Sequence, residues 1–188
     1  MALQKAADVF KARGYQRASI QHLVDEMGIN RAGLYAAFGD KHSLFCEVVE
    51  QYSADLLGRS RAILGAAGDA LDNLYRYLDF LQERALKDPR QGCLINTTAV
   101  EVGAGDAPIH QRISGMFQAL EESLQETLHR AVHEGDLKSD LPAHALARFF
   151  LCFIQGLTVV SKMRMPADYL LDCVAMMRSQ IESLEDRD

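Results

Sequence analysis

The sequence has no tryptophan, only four prolines, and no two cysteines close together. Cys46, Cys93, Cys152 and Cys173 stand far apart, which excludes a zinc ribbon or a CxxC redox pair and fits reduced thiols. No apolar signal core follows the opening Met-Ala-Leu-Gln-Lys-Ala. The most apolar run, residues 145 to 160, is interrupted by Arg148 and Gln155 and reads as short for a membrane span. The expectation is a cytoplasmic protein with no membrane partner. A glycine-rich phosphate loop, a nucleophile elbow and a Cys-His arrangement are also missing. The nearest thing to catalytic material is His129 and His133, one helical turn apart as in zinc metalloproteases. Arg130 stands where that motif places its general base, and no third ligand is identifiable. The pair therefore reads as a solvated face, and no catalytic residue, metal site or cofactor is expected.

What is present describes a globular chain of 188 residues, 48% hydrophobic and 24% charged. The net charge of -6 weighs against nucleic acid until its distribution is considered. Residues 1 to 50 carry six basic and six acidic groups, so the deficit falls on the remaining 14 basic and 20 acidic groups. A neutral head on an acidic body offers phosphate one tolerable end and repels it from the other.

Apolar spacing predicts helices throughout and no convincing strand, so the expected fold class is all-α. Leu3, Ala6, Ala7 and Phe10 mark a first helix ending at Gly14. Ser19 caps a second through Leu23, Val24 and Met27 to Gly28. Asn30 caps a third, in which Leu34 and Phe38 both face inward, and Asp40 caps a long fourth running toward Leu64. Asp69 opens a fifth with a stripe of Leu71, Leu74, Tyr75, Leu78 and Leu81, ending before Pro89. A shorter buried helix spans residues 93 to 102, closed by Gly103 and Gly105. Pro108 begins a long amphipathic helix through Ile113, Phe117, Leu120 and Val132 to Gly135, and two more start near Pro142 and Pro166.

Two short helices joined at Gly28-Ile29-Asn30 are what a helix-turn-helix needs, since glycine permits the reversal and asparagine satisfies amides at the next helix start. Arg31 and Tyr35, four apart, share one face of the second helix, opposite Leu34 and Phe38. The spaced set Ala6-Ala7-Asp8-Val9-Phe10-Lys11-Ala12-Arg13-Gly14-Tyr15, Ser19-Ile20, Leu23-Val24, Gly28-Ile29-Asn30-Arg31, Leu34-Tyr35, Phe38 and Lys41-x-x-Leu44 closely resembles the head of the tetracycline-repressor (TetR/AcrR) family. The stretch Gly92-Cys93-Leu94-Ile95-Asn96 with Glu101 is similar to a subgroup of that family.

That resemblance implies a three-helix DNA-binding head, residues 1–46, joined by the long fourth helix to an effector-binding and dimerisation body, residues 47–188. It implies a transcriptional regulator, a repressor by family habit, released from a pseudo-palindromic operator by a small-molecule effector. Carried over position by position, Gln21 and Arg31 become base readers, because amide and guanidinium groups each pair two edge atoms of a purine. Ser19, Tyr35 and Lys41 become phosphate contacts, Lys41 with the help of amides at a helix start. Asn30 shapes the turn, and Ala32 and Gly33 let the helix approach closely. Ala36 and Ala37 depart from the bulkier residues frequent there in the family. Family members usually carry several residues, often basic, before the first helix, whereas Leu3 is already in helical register; where that arm is missing, a shallower salt dependence is expected.

The body's partners are expected to be an effector and a second copy of the chain. Leu146, Phe149, Phe150, Phe153, Ile154 and Leu157 make the eighth helix apolar on more than one face, so something must cover it. The resemblance implies a homodimer through the last two helices, placing two recognition helices on successive major grooves. Tyr75, Cys93, Asn96, Phe117 and Gln155 are the candidate effector contacts, polar or polarisable handles in apolar surroundings. The alternative is a helical interaction module that keeps the head fold without reading DNA.

Overall fold

The computed structural model describes residues 2–87, 93–102, 105–163 and 165–186. Among them are nine helices: α1 Ala2–Arg17, α2 Ile20–Met27, α3 Arg31–Phe38, α4 Lys41–Leu64, α5 Ala70–Lys87, α6 Leu94–Glu101, α7 Ala107–Glu134, α8 Ala143–Lys162 and α9 Ala167–Glu182. The all-α expectation holds. The one extended pairing among the described residues is an isolated bridge between Leu137 and Glu185. The chain divides into two compact units, Met1–Leu56 with Arg90–Met116, and Leu57–Pro89 with Phe117–Asp188.

In the first unit the helix starts follow the sequence. Ser19 accepts the His22 amide while His22 Nδ1 accepts the Ser19 amide, a reciprocal cap on α2. Asn30 Oδ1 accepts the Gly33 amide at 2.7 Å, and Asp40 Oδ1 accepts that of Ser43 at 2.7 Å. Gly28 ends α2 in the left-handed region, φ 71°, with open space where a Cβ would sit, so it is conformation rather than crowding that favours glycine. One boundary differs from expectation. The chain breaks at Gly14 (φ 77°, ψ 166°) but then makes another turn to Arg17, where the sequence predicts an end. Phe10, Leu23, Leu34, Leu44 and Phe45 are sealed in this unit's core, and Phe10 meets Phe45 edge-on at 4.7 Å. Phe38 is half-buried.

In the second unit, the buried stripe of α5 runs through Leu74, Tyr77, Leu78 and Leu81. The core tyrosine is thus Tyr77, not Tyr75, because the adjacent stripe position turns inward; its hydroxyl lies 3.3 Å from Ser60 Oγ. The same one-position rotation puts Ala131 of α7 inside, with Phe117 and Val132 half-buried. Asn73 is fully buried and donates to the carbonyls of Leu64 and Ala66, tying down the turn after α4. Gly103, expected to help close α6, lies outside the described residues, as does Pro89.

The boundary between the two units crosses α4 after Leu56 and α7 after Met116. Each carries a glycine near the crossing, Gly58 and Gly115, with open space around the Cβ position.

Helix α8 is longer than the apolar run suggests. At 20 residues, with mean hydropathy 1.6, it is long and apolar enough to cross a membrane by length and composition alone, and 28% of that window is buried within the chain. Phe150, Ile154 and Leu157 face the core, whereas Phe149 and Val159 are exposed, as are Tyr169, Leu171 and Met176 on α9.

Candidate nucleic-acid interface

Helix α3 rests on the first unit through Leu34, which is sealed, and turns its other side to solvent. Arg31, Ala32, Gly33, Ala36 and Ala37 are exposed, and Tyr35 is 48% exposed. Ala32 and Gly33 leave the backbone accessible, and a Cβ on Gly33 would sit 3.2 Å from Asn30 Oδ1, pressing on the cap.

Two residues from different helices meet at the front of this surface. Arg31 Nη2 donates to Gln21 Oε1 at 2.9 Å, and Gln21 Nε2 donates to Asp25 Oδ1 at 2.7 Å. Asp25 thereby orients the Gln21 amide so that its oxygen faces Arg31. Sequence reasoning proposed Gln21 and Arg31 separately and missed Asp25; its place one turn after Gln21 on α2 was the available signal. Ser19 is exposed at the start of α2, its hydroxyl oxygen engaged in the cap.

Lys41 opens α4. The sequence expects free amides there to help attract phosphate, but Asp40's carboxylate already takes the Ser43 amide. That amide, with the Ser43 hydroxyl, holds the Asp40 carboxyl below its ordinary value. The Lys41 ammonium sits 4.5 Å over the Tyr15 ring and donates to the Gln16 carbonyl at 3.4 Å. Partial burial pulls its pKa down, and the Glu101 carboxylate pulls it back up. Nearby, His42 Nε2 lies 2.6 Å from Asp106 Oδ2, while Asp106 Oδ1 accepts the Ile109 amide at the start of α7. Burial pushes the Asp106 carboxyl up, but the Ile109 amide and His42 outweigh it and the net effect is downward.

The candidate effector contacts are divided between the units. Cys93 and Asn96 are buried in the first; Tyr75, Phe117 and Gln155 are half-buried in the second. The Tyr75 hydroxyl donates to Glu185 Oε1 at 2.7 Å under the Arg178 guanidinium, and burial with this bond raises its pKa. The second unit also has an open polar cleft of about 550 Å³ between Arg61, Glu122, Glu126 and Arg130, which none of the five lines. His129 and His133 are both exposed.

A capped helix pair that presents an arginine and a tyrosine outward, on an otherwise helical chain, defines a DNA-binding regulator of the helix-turn-helix class. Residues 2–48 match the description "Bacterial regulatory proteins, tetR family", and residues 70–177 match "Tetracyclin repressor-like, C-terminal domain". The chain belongs to the TetR family of transcriptional regulators. It is 30% identical to the HTH-type transcriptional regulator YezE of Bacillus subtilis, over 97% of this chain and 95% of that one. It is 27% identical to the HTH-type transcriptional repressor ComR of Escherichia coli, over 86% and 78% respectively. Among solved structures it is similar to the TetR-family regulator CifR, a cysteine mutant complexed with 26-bp double-strand operator DNA. That match has a TM-score of 0.82 and 32% identity, over 93% of this chain and 92% of that one. Members of the family bind DNA and small-molecule effectors and form dimers through the C-terminal domain, which accounts for the apolar surplus on α8 and α9.

Proposed function

We propose that this protein is a cytoplasmic repressor that occupies a pseudo-palindromic operator and leaves it when a small molecule binds the C-terminal region. Residues 1–46 serve as the DNA-binding part and residues 47–188 as the effector and dimer part. Gln21 and Arg31 read base edges, Ser19, Tyr35 and Lys41 hold phosphates, and Asn30, Ala32 and Gly33 shape the approach. Tyr75, Phe117 and Gln155, with Cys93 and Asn96, are the candidate effector contacts. The protein carries no catalytic role in this reading. Repression is supported by the kinship with ComR, a repressor. The observation that carries the reading is the exposed Gln21–Arg31 pair at the mouth of the helix-turn-helix.

Effector action is a population shift. A coupling of about 1 to 3 kcal/mol changes operator affinity by roughly 5- to 150-fold. Selection of a preferred duplex from a random pool at moderate salt tests the reading. The expected result is an inverted repeat with half-sites one helical turn or a multiple apart. Recovery of no preferred sequence points instead to a helical interaction module and overturns it.

A further inference from the structure

At Gly14 the chain leaves helical geometry for one residue, φ 77° and ψ 166°, and then re-enters it for a last turn. A turn that begins in this way leaves its first amides without carbonyl partners. Glu101, the last residue of α6, supplies them. Its Oε2 accepts the Tyr15 amide at 2.9 Å and its Oε1 the Gln16 amide at 2.8 Å, a two-pronged grip by one carboxylate. The fit is close. A Cβ on Gly14 would stand 2.6 Å from Glu101 Oε2, so the φ favours glycine and any larger residue would push the carboxylate off its grip.

The two residues gripped are the two that hold Lys41. The ammonium rests over the Tyr15 ring and donates to the Gln16 carbonyl. Tyr15 is in turn stacked on Phe45 at 4.5 Å. Glu101 thus fixes both the platform and the hydrogen-bond acceptor that set where this cation stands, and its charge counters part of the effect of burial on Lys41.

We propose that Glu101 is a positioning residue for DNA binding: through the amides of Tyr15 and Gln16 it places the Lys41 ammonium for its phosphate. The inference rests on the reading of Lys41 as a phosphate contact. It assigns part of the DNA-binding machinery to a residue inside the C-terminal family match, residues 70–177, rather than the N-terminal one.

The test is a double-mutant cycle on the full chain, with the selected operator and titrations at several salt concentrations. Lys41→Ala is expected to weaken binding by about tenfold and to lower the slope of log K against log salt by about 1.8, the loss of one phosphate from each head of the dimer. Glu101→Gln, which puts an amide NH₂ where one amide proton must be accepted, is expected to do the same in the wild-type background and nothing further in Lys41→Ala. Tyr15→Leu, which removes the platform and leaves the Glu101 grip, should reproduce the slope change. Because the slope is read on the folded, binding fraction, partial unfolding lowers apparent affinity without producing that slope. Equal losses from Glu101→Gln in both backgrounds, or an unchanged slope, overturn the inference. Normal binding by Lys41→Ala removes the phosphate assignment and the inference with it, whereas a Lys41→Ala loss with a silent Glu101→Gln removes the inference alone.

Discussion

Arg31 Nη2 and Gln21 Oε1 stand 2.9 Å apart, joining the first turns of the two short helices across the reversal between them. Neither side chain is set independently of the other, and Gln21 is itself held by Asp25. Arg31→Ala should relax base preference at one half-site position by about 1 to 3 kcal/mol. Gln21→Ala should relax the same or an adjacent position, and the two losses should fall short of additive. Binding to a panel of single-base operator variants measures this. Fully additive losses at distant positions would refute a shared contact.

The cap at Asn30 lets the recognition helix begin where it does. Asn30→Ala removes the acceptor of the Gly33 amide and should cost about 1 kcal/mol of stability, while Asn30→Asp retains it. Denaturant midpoints of the two variants check the difference. Midpoints that coincide would show that the cap bears no weight.

Asp106 gives the first unit an acid sensitivity. Its folded-state carboxyl is held below the ordinary 3.8, so its stabilising contribution is complete above that value and fades as the pH falls through it toward the folded pKa. Asp106→Asn keeps an acceptor for the Ile109 amide and loses the charge facing His42. The gap in melting temperature between wild type and variant should be full at pH 6 and narrow steadily as the pH falls below 3.8. A gap independent of pH would exclude the carboxylate as its source.

Phe149 is 55% exposed and Val159 46% exposed on the same helix. Val159→Glu places a charge where an apolar partner surface is needed, so sedimentation should show a shift toward monomer, with operator affinity reduced at least tenfold. A stable dimer in this variant would move the interface elsewhere.

The head was legible almost residue by residue, because short helices are set by local chemistry: Ser19, Asn30 and Asp40 cap where their side chains reach backbone amides, and Gly28 reverses the chain where its φ must be positive. The turn after Gly14 was not legible. Its amides are satisfied by Glu101, more than eighty residues away, and only folding brings the two together. The exchange of Tyr75 for Tyr77 in the core of α5 has a similar origin, since neighbouring positions fit a broad apolar stripe almost equally well and packing decides between them. Arg31 and Gln21 were each proposed from the sequence, yet their hydrogen bond and the part of Asp25 in it needed the coordinates.

Gly58 and Gly115 occupy helix interiors with room for a methyl group and no positive φ to demand their presence. Alanine at either site would make the helix more stable by roughly 0.5 to 1 kcal/mol. A protein that must switch between states loses something by that gain. The stiffer variant would endure heat better and, on the proposed reading, leave its operator less readily when the effector arrives.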